Sequence, residues 1–385
     1  MSRLDRILDE SVERQVLPFV VAMVGDRAGV RWQGSAGRAN AAHDAGPETV
    51  FSLFSMTKAV GSLMAVMAID RGLITMDTPV GDVLPDFEKI QVLESMGPDG
   101  PIYRRPKTRA TLRHLLTHTC GMGYEAFYPA MADYAVKTGS AADITGKIES
   151  LYYPMLFDPG EGFAYGVGTD WVGVLVSELD GRPIDRFVHE EILQPLGMSS
   201  TYFERADAGD RLANLFLKGE DGQFSPFEMY PAANPEIYHM GHALYSSAAD
   251  YMTFLRLVLN GGELDGHRLV GPEAMKLMYT DQLEGVPLPS PLLKSSVPFV
   301  SYDVDPRPGT RKTHTAAFFR SEDDVPAMRR AGSLSWAGVL NTHYWVDPAS
   351  DTAAVFMTQM LPFYDPELIA SYEEFERGVY QEFRQ

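Results

Sequence analysis

The 385-residue sequence contains a single cysteine, Cys120, so no intramolecular disulfide is open to it. Stability has to come from packing, and a chain of this length can bury a core large enough without a covalent or metal staple. It also lacks any apolar run near the ~18 residues of a membrane-spanning helix. The opening stretch from Met1 to Glu10 is interrupted by charges throughout and has no apolar signal-peptide core, which predicts a cytoplasmic protein. Basic residues are scarce: 33 Lys and Arg face 52 Asp and Glu, for a net charge of −19. Phosphate binding needs a basic face, so a nucleic-acid partner is not expected, and an anionic membrane surface would repel the chain. The charge itself reads as solubility and says nothing about substrate. Several functional motifs are missing too. No Gly-x-Ser-x-Gly is present to form a nucleophile elbow, and there is neither Gly-x-Gly-x-x-Gly nor a Walker loop. His114 and His118 have the i, i+4 spacing of a zinc pair, but no Glu follows His114. His189-Glu190-Glu191 has no second histidine at ligand spacing, and His239, His242 and His314 are not placed by any pattern. No metal and no cofactor are expected.

What is present is the composition of a soluble globular protein, 45% hydrophobic and 22% charged. Leu4, Ile7, Leu8, Val12 and Val16 have helical spacing. Residues 19–24 and 30–33, separated by Gly25-Asp26-Arg27-Ala28-Gly29, read as a hairpin. From Met56 to Asp70 apolar residues surround the axis, which marks a buried helix, stopped by Gly72. Residues 75–240 show several helical patterns and few convincing strands. Residues 251–259 form another helix. Residues 284–330, rich in Pro and charge, suit a long loop over the site. Residues 334–340, 343–346 and 352–359 are β-like, the last two joined through Asp347-Pro348-Ala349-Ser350-Asp351, and residues 367–383 close with a helix. The expected architecture is α+β. One antiparallel sheet flanked by helices is built from segments 1–75 and 241–385, with a mostly helical domain, 76–240, inserted beside it and a cleft at the junction.

The chemistry centres on Ser55-Met56-Thr57-Lys58, the only Ser-x-x-Lys of this kind in the chain. Positions i and i+3 share a helix face, so the amine reaches the hydroxyl. A serine needs a base to become a nucleophile, and a lysine serves as one only where burial favours its neutral form. Lys58 sits one turn into a helix that is apolar on every side, near an N-terminus where the dipole disfavours a cation. That costly placement points to function. A literal Lys137-Thr138-Gly139 reads instead as a helix stop, with Lys in the last turn and Gly as C-cap.

The stretch Phe51-Ser52-Leu53-Phe54-Ser55-Met56-Thr57-Lys58 resembles the nucleophile motif of the serine β-lactamase and penicillin-binding-protein superfamily. Leu112-Arg113-His114-Leu115-Leu116-Thr117-His118-Thr119-Cys120-Gly121-Met122 is similar to its LLTHTSGL loop, and Phe157-Asp158-Pro159-Gly160-Glu161-Gly162-Phe163-Ala164-Tyr165 to its PGxxFxYS segment. Asn260-Gly261-Gly262-Glu263-Leu264-Asp265-Gly266, Trp336-Ala337-Gly338 and His343-Tyr344-Trp345-Val346-Asp347-Pro348 follow in the family order. The likeness spans nearly the whole chain and is strongest to the family VIII carboxylesterases, which share the class C β-lactamase fold. It implies a β-lactamase-like fold, Ser55 as nucleophile, Lys58 as base, and Tyr165 beside the lysine as proton shuttle. It places the oxyanion hole at the backbone N–H groups of Ser55 and Val339, and substrate contacts at Trp336, Ala337 and Gly338.

Two departures bear on substrate. The family's Tyr-x-Asn reads Tyr165-Gly166-Val167 here, and its Lys-Thr-Gly is replaced by Trp336-Ala337-Gly338. The asparagine contacts the lactam amide and the lysine binds the lactam carboxylate, so both losses favour neutral esters. The expectation is a serine carboxylesterase acting on small or short-chain esters through an acyl-enzyme on Ser55. An acyltransferase of the same fold is the first alternative, then a β-lactamase or D-Ala-D-Ala peptidase, then an inactive binding module. The partner is a small-molecule ester; the oligomeric state is not legible.

Overall fold

A computed structural model describes residues 2–383. Helix α1 (Arg3–Glu13) starts from a reciprocal cap: Asp5 N–H donates to Ser2 Oγ at 3.1 Å and Ser2 N–H to Asp5 Oδ2 at 2.7 Å. Strands β1 (Phe19–Gly25) and β2 (Val30–Gly37) form the expected hairpin. Helix α2 (Thr57–Asp70) is the buried helix, entered through a 3-10 turn, Phe54–Met56. Helix α3 (Gly168–Asp180) and helix α4 (Ala248–Leu259) follow. Strands β3 (Lys312–His314), β4 (Phe319–Ser321), β5 (Leu334–Gly338), β6 (Thr342–Asp347) and β7 (Thr352–Met357) precede helix α5 (Pro366–Glu382).

The seven strands make one antiparallel sheet in the order β3-β4-β5-β6-β7-β1-β2. Every residue of β1 is buried, because it lies inside the sheet with both faces covered. Its alternate residues go to different cores. Phe19, Val21 and Met23 join the cluster built with α2, α3 and α4, while Val20, Ala22 and Val24 pack with Leu4, Ile7 and Leu8 of α1 and with Leu368 and Phe375 of α5. The sheet is therefore flanked by helices on both faces, as the sequence predicts.

Three expectations need correction. The stretch 75–240 holds more β-structure than its pattern shows: Val92–Gly97 pairs with Gly100–Arg104, and Leu215–Lys218 with Phe224–Phe227. Residues 284–330 are not only a loop, since they supply β3 and β4 at the sheet edge and send Leu292, Leu293 and Val304 against Phe127, Phe163 and Tyr165. The strand predicted over 334–340 stops at Gly338. Residues 339–341 turn the chain back, with Asn341 in the left-handed region at φ 62° and its N–H on Gly338 O at 2.9 Å. Lys137-Thr138-Gly139 does end a helix, Pro129–Thr138, with Gly139 at φ 68° and exposed Lys137 paired to Asp133. Among the described residues no helix is long and apolar enough to cross a membrane.

Candidate active site

Ser55 stands at the start of α2 on the 3-10 turn, immediately after Phe54, which holds a left-handed φ of 43°. That conformation is costly for a phenylalanine and persists only when its surroundings impose it. They do so here on several sides. Leu53 N–H donates to Leu244 O at 2.9 Å, Ser52 N–H donates to the Gln359 side-chain oxygen at 2.9 Å, and the Phe54 ring packs with Leu215, Leu340 and Leu361. On the far side lies β5. A side chain at Gly338 would place its Cβ 2.2 Å from Leu53 O, so only glycine lets the strand approach the turn this closely.

Lys58 is 4% exposed and its side-chain nitrogen lies within hydrogen-bond distance of three groups: Ser55 Oγ at 3.2 Å, Tyr124 OH at 3.0 Å and Gly241 O at 2.8 Å. The Ser55–Lys58 pair expected from the sequence is thus brought together. Gly241 is itself fixed, because its N–H donates to Asp170 Oδ1 of α3 at 2.6 Å. Burial, reinforced by the nearby Asp170 and Asp143 carboxylates, holds the Tyr124 phenol well above its usual range, so it stays protonated. Burial also raises Asp170 and Asp143 despite the pull of His242, His239 and Lys58.

Tyr165 is buried beside the pair but touches it differently from the expectation. Lys58 Nζ lies 4.9 Å from the centre of its ring, and its hydroxyl accepts a hydrogen bond from Trp336 Nε1 at 2.9 Å. The phenol hydrogen-bonded to the lysine is that of Tyr124, whose backbone N–H is tied to Tyr165 O at 3.0 Å. Among the described residues Trp336 is the one hydrogen-bond partner of the Tyr165 hydroxyl.

Ser55 opens into a cavity of about 220 Å³ whose walls include Phe127, Leu293, Val300, Phe363, Trp336 and Ala337. Val339 and Tyr165 also line it, and Gly338 stands behind against Leu53. Its charged lining residues are Glu125 and Asp143; no arginine or lysine is among them. Tyr124, Asp170 and Gly241 are the participants that the sequence reading missed. Tyr124 lies just past the Cys120-Gly121-Met122 end of the loop motif and Asp170 five residues after Tyr165, the only local signals they carry. The i, i+4 histidines separate in role: His114 Nδ1 meets the Thr111 N–H in a helix cap, and the His118 ring packs 4.7 Å from that of Tyr165, tilted 56° to it.

The family model described as Beta-lactamase matches residues 4–376. The chain belongs to the beta-lactamase family. Within that family its sequence is similar to the monacolin J acid methylbutanoyltransferase of Aspergillus terreus, 29% identical over 88% of this chain and 83% of that one. It is also similar to a lovastatin esterase of Penicillium rubens, 25% identical over 87% of this chain and 86% of the relative. Its structure is similar to that of a mutant of simvastatin synthase, LovD, from Aspergillus terreus, with a TM-score of 0.84, 26% identity, and coverage of 99% of this chain and 94% of that one. The fold of a beta-lactamase-family enzyme, with a Ser-x-x-Lys pair on the floor of a cleft, is therefore in place.

Proposed function

We propose that this protein is a serine acyl-transfer enzyme that takes an acyl group from a neutral carboxylic ester onto Ser55 and passes it to an alcohol or to water. The observation that carries the reading is Lys58. Two of its partners, Tyr124 OH and Gly241 O, can accept N–H hydrogens, which leaves the lone pair of a neutral amine directed at the Ser55 hydroxyl. Lys58 then takes the Ser55 proton as Oγ attacks the ester carbonyl. The backbone N–H groups of Ser55 and Val339 are the proposed oxyanion donors, a contribution of about 10²–10³ in rate each. Tyr165 accepts from Trp336 and keeps its own proton free, so it is the proposed donor to the departing alkoxide. Collapse of the tetrahedral adduct expels the alcohol and leaves the acyl-enzyme with Lys58 protonated and Tyr165 deprotonated; the second half-reaction runs the transfers in reverse, Tyr165 taking the proton of the attacking acceptor hydroxyl and Lys58 returning its proton to the departing Ser55 Oγ.

The cavity supports neutral donors. Trp336 stands where a carboxylate-binding lysine would, and Glu125 and Asp143 would repel an anion. The apolar walls and the methylbutanoyltransferase among the relatives favour transfer to an alcohol over simple hydrolysis, while the lovastatin esterase among them keeps hydrolysis as the basal reaction. The experiment is intact-mass detection of an acyl adduct on Ser55 across an ester panel, followed by partition of the acyl group between water and competing alcohols. Ser55→Ala should abolish adduct and turnover with the fold intact; retained turnover would reject the reading. Alcohol products exceeding acid products at modest alcohol concentration would assign the transferase.

A further inference from the structure

The turn that holds Lys58 also carries two histidines for which acyl transfer has no use. His242 N–H and Ala243 N–H both fold back onto His239 O, at 3.1 and 3.0 Å, which brings the His239 and His242 rings to 5.2 Å. Asp170 meets them from α3, and one ligand-capable atom from each of Asp170, His239 and His242 lies within 4.8 Å of the others. All three side chains are buried, His239 to 1% exposure.

Their hydrogen bonding is incomplete. Asp170 Oδ1 is committed to Gly241 N–H; the Asp170 carboxylate also faces the Tyr124 hydroxyl and the His239 ring faces the Lys147 backbone, but neither approach closes to a hydrogen bond, which leaves Asp170 Oδ2 and both His239 ring nitrogens unpaired. Native proteins rarely leave buried polar atoms unpaired, and three on facing side chains call for a common occupant.

We propose that Asp170, His239 and His242 form a binding site for a divalent transition cation of the Zn²⁺ type. Two imidazoles and a carboxylate are a donor set that such cations select, with a remaining position for water. Closing the three atoms to the ~3.4 Å that bonds of ~2.1 Å require takes modest rotation of the imidazoles. Asp143 Oδ2, 3.7 Å from His242 Nδ1, stands where an outer carboxylate orients a ligating histidine. Access is through the cleft, since His242 lines it. The cation would lock the turn whose Gly241 carbonyl seats the catalytic lysine. The site does not depend on the acyl-transfer reading, because its test measures binding.

The test uses the tag-free full chain, stripped with a chelator, and titrates Zn²⁺ against a chromophoric competitor and Co²⁺ by visible spectroscopy. One equivalent of Zn²⁺ per chain, low-symmetry Co²⁺ bands and a rise in melting temperature with Zn²⁺ are expected. His239→Ala and Asp170→Asn should each weaken binding at least about tenfold. Because either variant could unfold the chain, His239→Phe keeps an aromatic ring in the same space: it should fold, melt at the same temperature with or without Zn²⁺, and take up no metal. Absence of saturable uptake by the wild-type chain, or uptake unchanged in His239→Phe, overturns the proposal.

Discussion

Replacing Gly241 with alanine tests the seat of Lys58 directly. A Cβ at this position would stand 2.6 Å from Asp170 Oδ1, 2.7 Å from Asp170 Oδ2 and 2.9 Å from Tyr124 OH. All three distances are below the 3.0 Å that real Cβ contacts respect. Asp170 is wholly buried and cannot swing away into water, so the turn itself must move. Moving it breaks the clamp of Gly241 N–H on Asp170 and withdraws the carbonyl that Lys58 holds at 2.8 Å. Leaving a buried polar group such as this amine without its hydrogen-bond partner costs about 1.5–3 kcal/mol. If that energy serves to hold the amine on Ser55, its loss lowers the acylation rate by about 10- to 150-fold. The variant also costs about 1–3 kcal/mol of stability from overpacking. The assay is the pre-steady-state burst with a chromogenic ester, run beside circular dichroism and thermal melting. A folded Gly241→Ala variant whose acylation rate stays within about threefold of wild type would refute the role assigned to this turn.

Other outcomes are open to measurement. Tyr124→Phe removes the phenol at 3.0 Å from Lys58 and should slow acylation about 10- to 100-fold, while Tyr165→Phe should cost about 10² or more in kcat with KM little changed; near-normal turnover in Tyr165→Phe would transfer the shuttle to Tyr124. Glu376→Gln should destabilise the fold by about 3–5 kcal/mol, because Arg329, at 2.8 Å, would be left as a buried charge without its carboxylate and Arg307 would keep only Glu373; a urea midpoint equal to wild type would contradict this. Burial pushes the Glu376 carboxyl up, but Arg329 and Arg307 outweigh it and hold it below the ordinary 4.5. Its stabilisation is therefore full above pH ~4.5 and fades as pH falls through the lowered folded value, so Glu376→Gln should show a shallower acid limb in stability against pH.

The parts legible in the sequence are those whose logic is local. Ser55 and Lys58 are three residues apart on one helix, and α2 is apolar on all sides, so neither needed tertiary information. Strands β6 and β7 carry β-branched and aromatic residues around a polar turn, and the hairpin followed. Tyr124, Asp170 and Gly241 come from three separate segments and meet only through packing, so no spacing announces them. Strands β3 and β4 are three residues each, with Lys312 and Arg320 breaking any apolar run, and exist because the sheet edge offers partners. The left-handed Phe54 was equally invisible, since phenylalanine is not a residue that signals such a turn. Leu293 reaches the cleft, with Leu292 and Val304 packed beside it, from a segment without periodicity, where burial follows shape rather than pattern.

Gln359 acts as a detached piece of strand. Its side-chain amide accepts from Ser52 N–H at 2.9 Å and donates to Ser52 O at 3.2 Å, pairing with backbone 307 residues earlier. Sheet pairing has the same reach, with Val21 opposite Met357. During synthesis the ribosome therefore emits Ser55 long before the segment that braces it. Until that segment emerges, the serine turn has no reason to hold its strained geometry. The same dependence marks the place to divide the polypeptide for a split reporter: a cut between the two partners would make activity conditional on their reunion.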